Sequence, residues 1–330
     1  METKLKIDIL MPAYNGARYI KDTLKSILSQ SFTNFNLIIS DDNSTDNTID
    51  IIRSFNDKRI KIYKNNINLG YGKNLKLLNR STDSEIIFLM GQDDLLLEGA
   101  LLKTYEYFLL DDEIGAVTRP YYWFYQNYLV PVRVVTPYDK YSDAIITIFD
   151  GELEVKKIFE SVGQLSGLAY RKEYIESDFH EDIFPAHIYP FASITRKHKV
   201  VFLKDYTVAV RIESSQTRTI SKIYDISPTI SWLEMINSVY NDEKFKTIKV
   251  YLKKQITTNF IGLVQIKNFS TFKNLIREII ILVKNRPVNL LDFRFWFFSI
   301  VAVIIPKKLL IYLVDGYKKR FLSKTIHIKN

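Results

Sequence analysis

Ile7-Asp8-Ile9-Leu10-Met11-Pro12-Ala13-Tyr14-Asn15-Gly16 is a β-branched apolar run that stops in a proline and a polar turn, and the next apolar run stops in Ser40-Asp41-Asp42-Asn43-Ser44-Thr45-Asp46. Between them Ile20, Leu24, Ile27 and Leu28 recur at helical spacing. Strand, helix, strand in that order is how a mostly parallel sheet with covering helices reads. The pattern predicts strands at residues 7–11, 36–40, 60–63, 85–90 and 115–119, with a first helix over 17–30 and a second after the cap-like cluster at 43–46. A further helix is expected from Leu95. Alternation then fails: residues 121–135 are aromatic and β-branched, which suggests antiparallel strands, and 199–210 reads as one more strand. Beyond Tyr224 only long helical patterns remain, so the expected division is an α/β domain at 1–220 and a helical region at 221–330.

The 330 residues are 47% hydrophobic and 25% charged, which excludes disorder as the main state. No cysteine is present, so disulfides, thiolate zinc sites and cysteine nucleophiles are out. Residues 1–10 carry no apolar signal segment, and a cytoplasmic location is expected. The formal net charge is +9, and residues 284–330 hold ten bases against two acids, leaving the rest nearly neutral. Those bases flank Phe295–Ile305, whose eleven residues would reach about 16 Å as a helix, about half of a bilayer core. An anionic membrane surface is therefore the expected partner, through peripheral attachment at the inner face, and nucleic acid is not.

Strand carboxyl ends are where an open α/β sheet binds ligands. Here they carry Pro12 to Gly16, Asp41 to Asp46 and Gly91-Gln92-Asp93-Asp94, with neither a G-x-G-x-x-G after the first strand nor a P-loop. Paired carboxylates in place of glycines would repel a bare phosphate, but they suit a divalent cation with hard oxygen ligands.

Taken in order, Met11-Pro12-Ala13-Tyr14-Asn15, Ser40–Asp46, Gln92-Asp93-Asp94 and His180-Glu181-Asp182 resemble the family 2 inverting glycosyltransferases with the GT-A fold. The resemblance covers roughly residues 5–215. It implies a Rossmann-like, mostly parallel sheet with a smaller antiparallel part, followed here by the C-terminal helices. It further implies that Pro12 and Tyr14 line the nucleoside, that Asp42 accepts the imide N–H of uracil or thymine, and that Asp93 ligates Mn2+ or Mg2+, with Asp94 supporting it or facing the sugar of the bound nucleotide sugar. Asp182 matches the general base, while Lys73 and Arg211 fall where relatives contact phosphate. Gly91 stands where the first acid of the metal motif is usual, and the histidine expected near Arg211 is replaced by Glu213 or absent. The implied activity is non-processive transfer of one sugar from a UDP- or dTDP-sugar to a glycan acceptor, lipid-linked in bacterial surface polysaccharide synthesis, because the Gln-x-x-Arg-Trp segment of processive members is missing. A sugar nucleotidyltransferase and a non-catalytic scaffold of the same fold stay open as alternatives, and a homodimer stays open as an assembly.

Overall fold

The computed structural model describes residues 5–181, 185–214 and 221–317. They fall into two compact units, one of residues 1–128 and 134–211, the other of residues 129–133 and 212–330.

Among the described residues there are twelve strands in two sheets, nearly all within the first unit. β1 (Ile7–Ala13), β2 (Phe35–Asp41), β3 (Ile60–Lys64) and β4 (Ile86–Leu89) run parallel in the order β3-β2-β1-β4. β1, β2 and β4 are almost wholly buried, as expected of strands covered by helices on both faces. Ile20, Leu24 and Ile27 of α1 (Ile20–Leu28) turn inward, and Leu75 and Leu78 of α3 (Tyr71–Arg80) do the same; α2 (Thr48–Ser54) lies between them in the chain. Because β2 lies on one side of β1 and β4 on the other, strand order reverses at β1, where loops diverge and leave a crevice.

β5 (Leu95–Leu96) follows β4, and α4 (Ala100–Leu110) follows β5. The helix expected from Leu95 thus starts five residues later, because Leu95 and Leu96 pair antiparallel with β12 (Val208–Arg211). The large sheet continues through β10 (Ala169–Arg171), β6 (Ile114–Thr118), β11 (Lys199–Phe202) and β9 (Ala144–Ile146), with β10 antiparallel to both its neighbours. The second sheet has the order β5-β12-β7-β8, where β7 is Tyr122–Phe124 and β8 is Arg133–Val134. The single strand expected at 199–210 is corrected to two. The chain leaves the large sheet after Phe202, Lys204 N–H bonds the Asp143 carboxylate at 2.7 Å, and the chain enters the small sheet at Val208. α5 (Glu152–Ser161) and α6 (Ile188–Thr195) complete this unit.

The second unit is helical: α7 (Pro228–Val239), α8 (Lys246–Thr257), α9 (Ile261–Phe269), α10 (Phe272–Asn285), α11 (Phe293–Ile304) and α12 (Lys307–Tyr317). Buried Glu278 of α10 accepts from Ser227 Oγ at 2.6 Å and Thr229 N at 3.1 Å, placing a carboxylate at the N-terminus of α7, where the helix dipole favours it.

Candidate active site

The first three polar strand ends meet in the crevice, stitched together by side-chain to backbone bonds. Asn15, at positive φ, accepts from Thr45 N at 2.9 Å, and its own N–H donates to Ser44 Oγ at 2.9 Å. Gln92 ties the third end to the first: its amide accepts from Tyr14 N at 3.0 Å and donates to Tyr14 O at 2.8 Å. That clamp leaves the Tyr14 ring 43% exposed at the mouth. Pro12, half-buried, precedes it on β1. A Cβ on Gly16 would lie 2.2 Å from Gln92 Oε1, so a larger residue there would displace the Gln92 amide from its bonds to Tyr14.

Asp42 is buried, and its carboxylate accepts from Asn65 Nδ2 at 2.9 Å and from the N–H groups of Leu69 and Gly70, both at 2.8 Å. Three of roughly four acceptor positions of a carboxylate are thereby taken. The group fixes the 65–70 loop that leads into α3.

The acidic pair has a tighter surround. Antiparallel pairing of Leu95 with Ala209 brings Arg211, two residues further along β12, opposite Asp93. The Arg211 N–H donates to Asp94 Oδ1 at 2.9 Å and its Nε to the Asp93 carbonyl at 3.1 Å, while the guanidinium stacks between the rings of Tyr19 and Phe124. Ser166 closes the other side, accepting from Gly91 N at 2.9 Å and donating to Asp94 Oδ2 at 2.5 Å. Burial, and after it the negative charge of Asp93, push the Asp94 carboxyl well above the usual carboxylate range. Asp94 is 5% exposed, whereas Asp93 is only half-buried and is the more accessible of the two.

Gly91 shows what this corner can hold. A Cβ there would lie 3.1 Å from Asp93 Oδ1 and 3.2 Å from both Asp94 Oδ2 and Ser166 Oγ. Three oxygens thus converge on the open side of a glycine, and two of them belong to carboxylates that repel one another. A hard divalent cation fits such a donor set. No cluster of three His, Asp or Glu suited to a metal occurs among the described residues, so most of a cation's shell would come from ligand and water.

Lys73 is exposed and lies 3.5 Å from Glu181, which Lys76 approaches at 3.7 Å. The Glu181 segment presses on the first turn of α3: a Cβ on Gly72 would come within 2.3 Å of Glu181 O and 2.4 Å of His180 O. Asp182, the next residue, lies outside the described residues. Beside this contact Tyr71 Oη meets His187 Nδ1 at 3.2 Å, and His187 Nε2 lies 3.0 Å from Val162 O. A carbonyl only accepts, so Nε2 carries the proton and the Tyr71 hydroxyl donates to Nδ1. Burial, then Asp94 and Asp93, push the Tyr71 phenol up.

The structure therefore brings Pro12, Tyr14, Asp42, Asp93, Asp94 and Arg211 to neighbouring strand ends of one unit, with Lys73 at the head of α3. Sequence reasoning missed Gln92 as a clamp, Ser166 as the partner of Asp94, and the need for glycine at 72. Gly72 stands next to Lys73 with no pattern of its own to mark it; Ser166 has no local signal at all.

Residues 8–167 match glycosyl transferase family 2. A glycosyltransferase of Haemophilus influenzae that is itself uncharacterised is 25% identical over 80% of this chain and 77% of its own length. TuaG of Bacillus subtilis, a putative teichuronic acid biosynthesis glycosyltransferase, is 30% identical over 48% of this chain and 64% of its own. The crystal structure of S. aureus TarS 1–349 in complex with UDP-GlcNAc superposes with a TM-score of 0.61, covering 96% of this chain and 88% of that one, at 15% identity. The fold is GT-A, and residues 8–167 of the chain belong to glycosyl transferase family 2.

Proposed function

We propose that the protein transfers one sugar per binding event, with inversion, from a UDP- or dTDP-sugar to a hydroxyl of a lipid-linked glycan in the synthesis of a bacterial surface polysaccharide, at the inner face of an anionic membrane. The observation that carries this reading is the convergence of Asp93, Asp94 and Ser166 on the open side of Gly91, with Arg211 held against the acidic pair. Carboxylates at that corner repel a bare diphosphate, and a cation between them turns repulsion into binding. The named process of TuaG and the UDP-GlcNAc bound to TarS support the choice of acceptor class and donor.

In this reading Tyr14 lies against the base, and the free acceptor position of Asp42 takes the imide N–H. Asp93, with Asp94 behind it, would hold Mn2+ or Mg2+. Such an ion, when bound, would supply positive charge against the leaving diphosphate. Arg211, a fixed cation beside the pair, adds positive potential that needs no reorganisation during the reaction. Lys73 adds exposed charge at the head of α3. Asp182, directly after the Glu181 backbone that packs on Gly72, takes the proton of the acceptor hydroxyl as the new bond forms on the face opposite the nucleotide. Packing against the first turn of α3 would fix where that carboxylate starts from.

Release of UDP or dTDP from a panel of UDP- and dTDP-sugars, measured with Mn2+ and again with chelator, tests the reading. Slow, metal-dependent donor hydrolysis with at least one sugar is expected. Absence of release with every donor, together with an unaltered phenotype of Asp182→Asn in cells, would favour a non-catalytic scaffold.

A further inference from the structure

We propose that the exposed apolar sides of α11 and α12 dock on an anionic lipid surface. The inference deepens the reading of a lipid-held acceptor by naming the surface that brings the enzyme to it.

Helix α11 has two apolar sides. Phe295, Ser299 and Ala302 are buried, and the Phe295 ring meets Phe260 edge-on at 5.5 Å. On the other side Phe293, Trp296, Phe297, Ile300 and Ile304 recur at helical spacing and are 47–79% exposed. Helix α12 repeats the arrangement: Leu310 is buried, while Leu309, Tyr312 and Leu313 are 47–75% exposed. One apolar side suffices to hold a helix to its unit, so a second on each of two successive helices calls for a partner.

Charge selects the partner. Lys307 and Lys308 at the start of α12 are exposed, as is Lys284 at the end of α10, and the sequence beyond α12 adds Lys318, Lys319, Arg320, Lys324 and Lys329 with no acid. A second copy meeting the same face about a twofold axis would set these cations against their own kind. Nucleic acid offers phosphate but no apolar counterpart for Phe293 or Ile304. A bilayer interface offers both, an acyl boundary for the aromatic and aliphatic side chains and anionic head groups for lysine. Between α10 and α11 an open groove of about 520 Å³ sets Arg286 and Arg294 beside Val288, Leu291 and Phe293, a pairing of cation and hydrocarbon that suits a phosphate head group and the start of its chain. Asp292 also lines it, already paired with Arg294 at 2.7 Å.

Orientation follows from length. The twelve residues of α11 reach about 18 Å, short of a bilayer core of about 30 Å, and no helix among the described residues is long and apolar enough to cross a membrane. The helices would lie in the plane of the interface, with Trp296 at the level of the head groups.

The test is sedimentation of the full chain with vesicles of phosphatidylcholine alone and of phosphatidylcholine mixed with phosphatidylglycerol, alongside tryptophan emission. The native protein should pellet with the anionic vesicles at low salt and be released by high salt. Its emission should shift to the blue, and Trp296→Phe should remove most of that shift. Phe297→Ser/Ile300→Ser and Lys307→Glu/Lys308→Glu should each lower partitioning about tenfold with unchanged melting temperature, since these side chains are exposed. No binding to anionic vesicles at low salt, or no blue shift of the native protein, would overturn the proposal. So would a vesicle-free dimer that the same substitutions dissolve. UDP release from donor in solution needs no vesicle, so failure here and failure of the catalytic reading are separate results.

Discussion

Arg211 and Asp94 lie 117 positions apart in the chain and are joined by a 2.9 Å bond from a backbone N–H to a carboxylate oxygen, in the corner where Asp93 Oδ1 and Ser166 Oγ also meet. The bond exists because β5 and β12 pair antiparallel in a register that sets Arg211 opposite the acidic pair. Fold and site chemistry are one fact here: the small sheet delivers a fixed cation to the carboxylates of the large one.

Arg211→Lys keeps a positive charge but loses the Nε bond to the Asp93 carbonyl and the stacking between Tyr19 and Phe124. We expect kcat/KM for the donor to fall at least about tenfold, with most of the loss in kcat, because a mobile ammonium must be positioned anew in each turnover. Steady-state kinetics with saturating metal check this.

Gly72→Ala places a methyl group where the backbone oxygens of His180 and Glu181 now lie, and backbone cannot swing aside as a long side chain can. The 180–181 segment must move, and the proposed base follows it. A large drop in kcat with nearly unchanged donor affinity is the expected pattern, with a stability cost of about 1–3 kcal/mol. Calorimetric donor titration beside turnover separates the two effects.

Much of this was legible in the sequence. The apolar runs of β1, β2 and β4 are continuous because helices cover both sides of those strands, and their polar ends mark the crevice directly. Other parts were hidden. β10 is three residues long, too short to carry any periodicity, yet it sits antiparallel in the middle of the large sheet. Lys199–Val210 looks like one strand because both of its halves are buried and β-branched; the turn between them is fixed by Asp143, some sixty positions away. Ser166 and Gln92 act through contacts more than seventy positions distant, where local patterning is silent. Asp182 was read from its neighbours in the chain and lies outside the described residues.

Gln92→Ala removes both bonds to the Tyr14 backbone and frees the loop that presents its ring. KM for the donor should rise more than kcat falls, and stability should drop by about 1 kcal/mol. Equal loss of kcat and kcat/KM would instead assign Gln92 to the reacting centre.

Acid should weaken the fold through His187. Burial pulls its pKa down to about 4, while an unfolded chain takes up the proton near the ordinary value of about 6.5. Its contribution is complete above the unfolded value and is lost as the pH falls from there toward 4, by up to about 3 kcal/mol. Urea unfolding across that range should show the slope, and His187→Gln should flatten it.

The central claim is that the strand-end carboxylates bind a nucleotide sugar through a divalent cation. Melting temperature measured against UDP- and dTDP-sugars, with Mn2+ and with chelator, tests it most directly. The account predicts that at least one such donor raises the melting temperature with Mn2+ present, and that chelation or Asp93→Asn abolishes the rise. A stabilising shift that survives both treatments, or none with any donor, would contradict it.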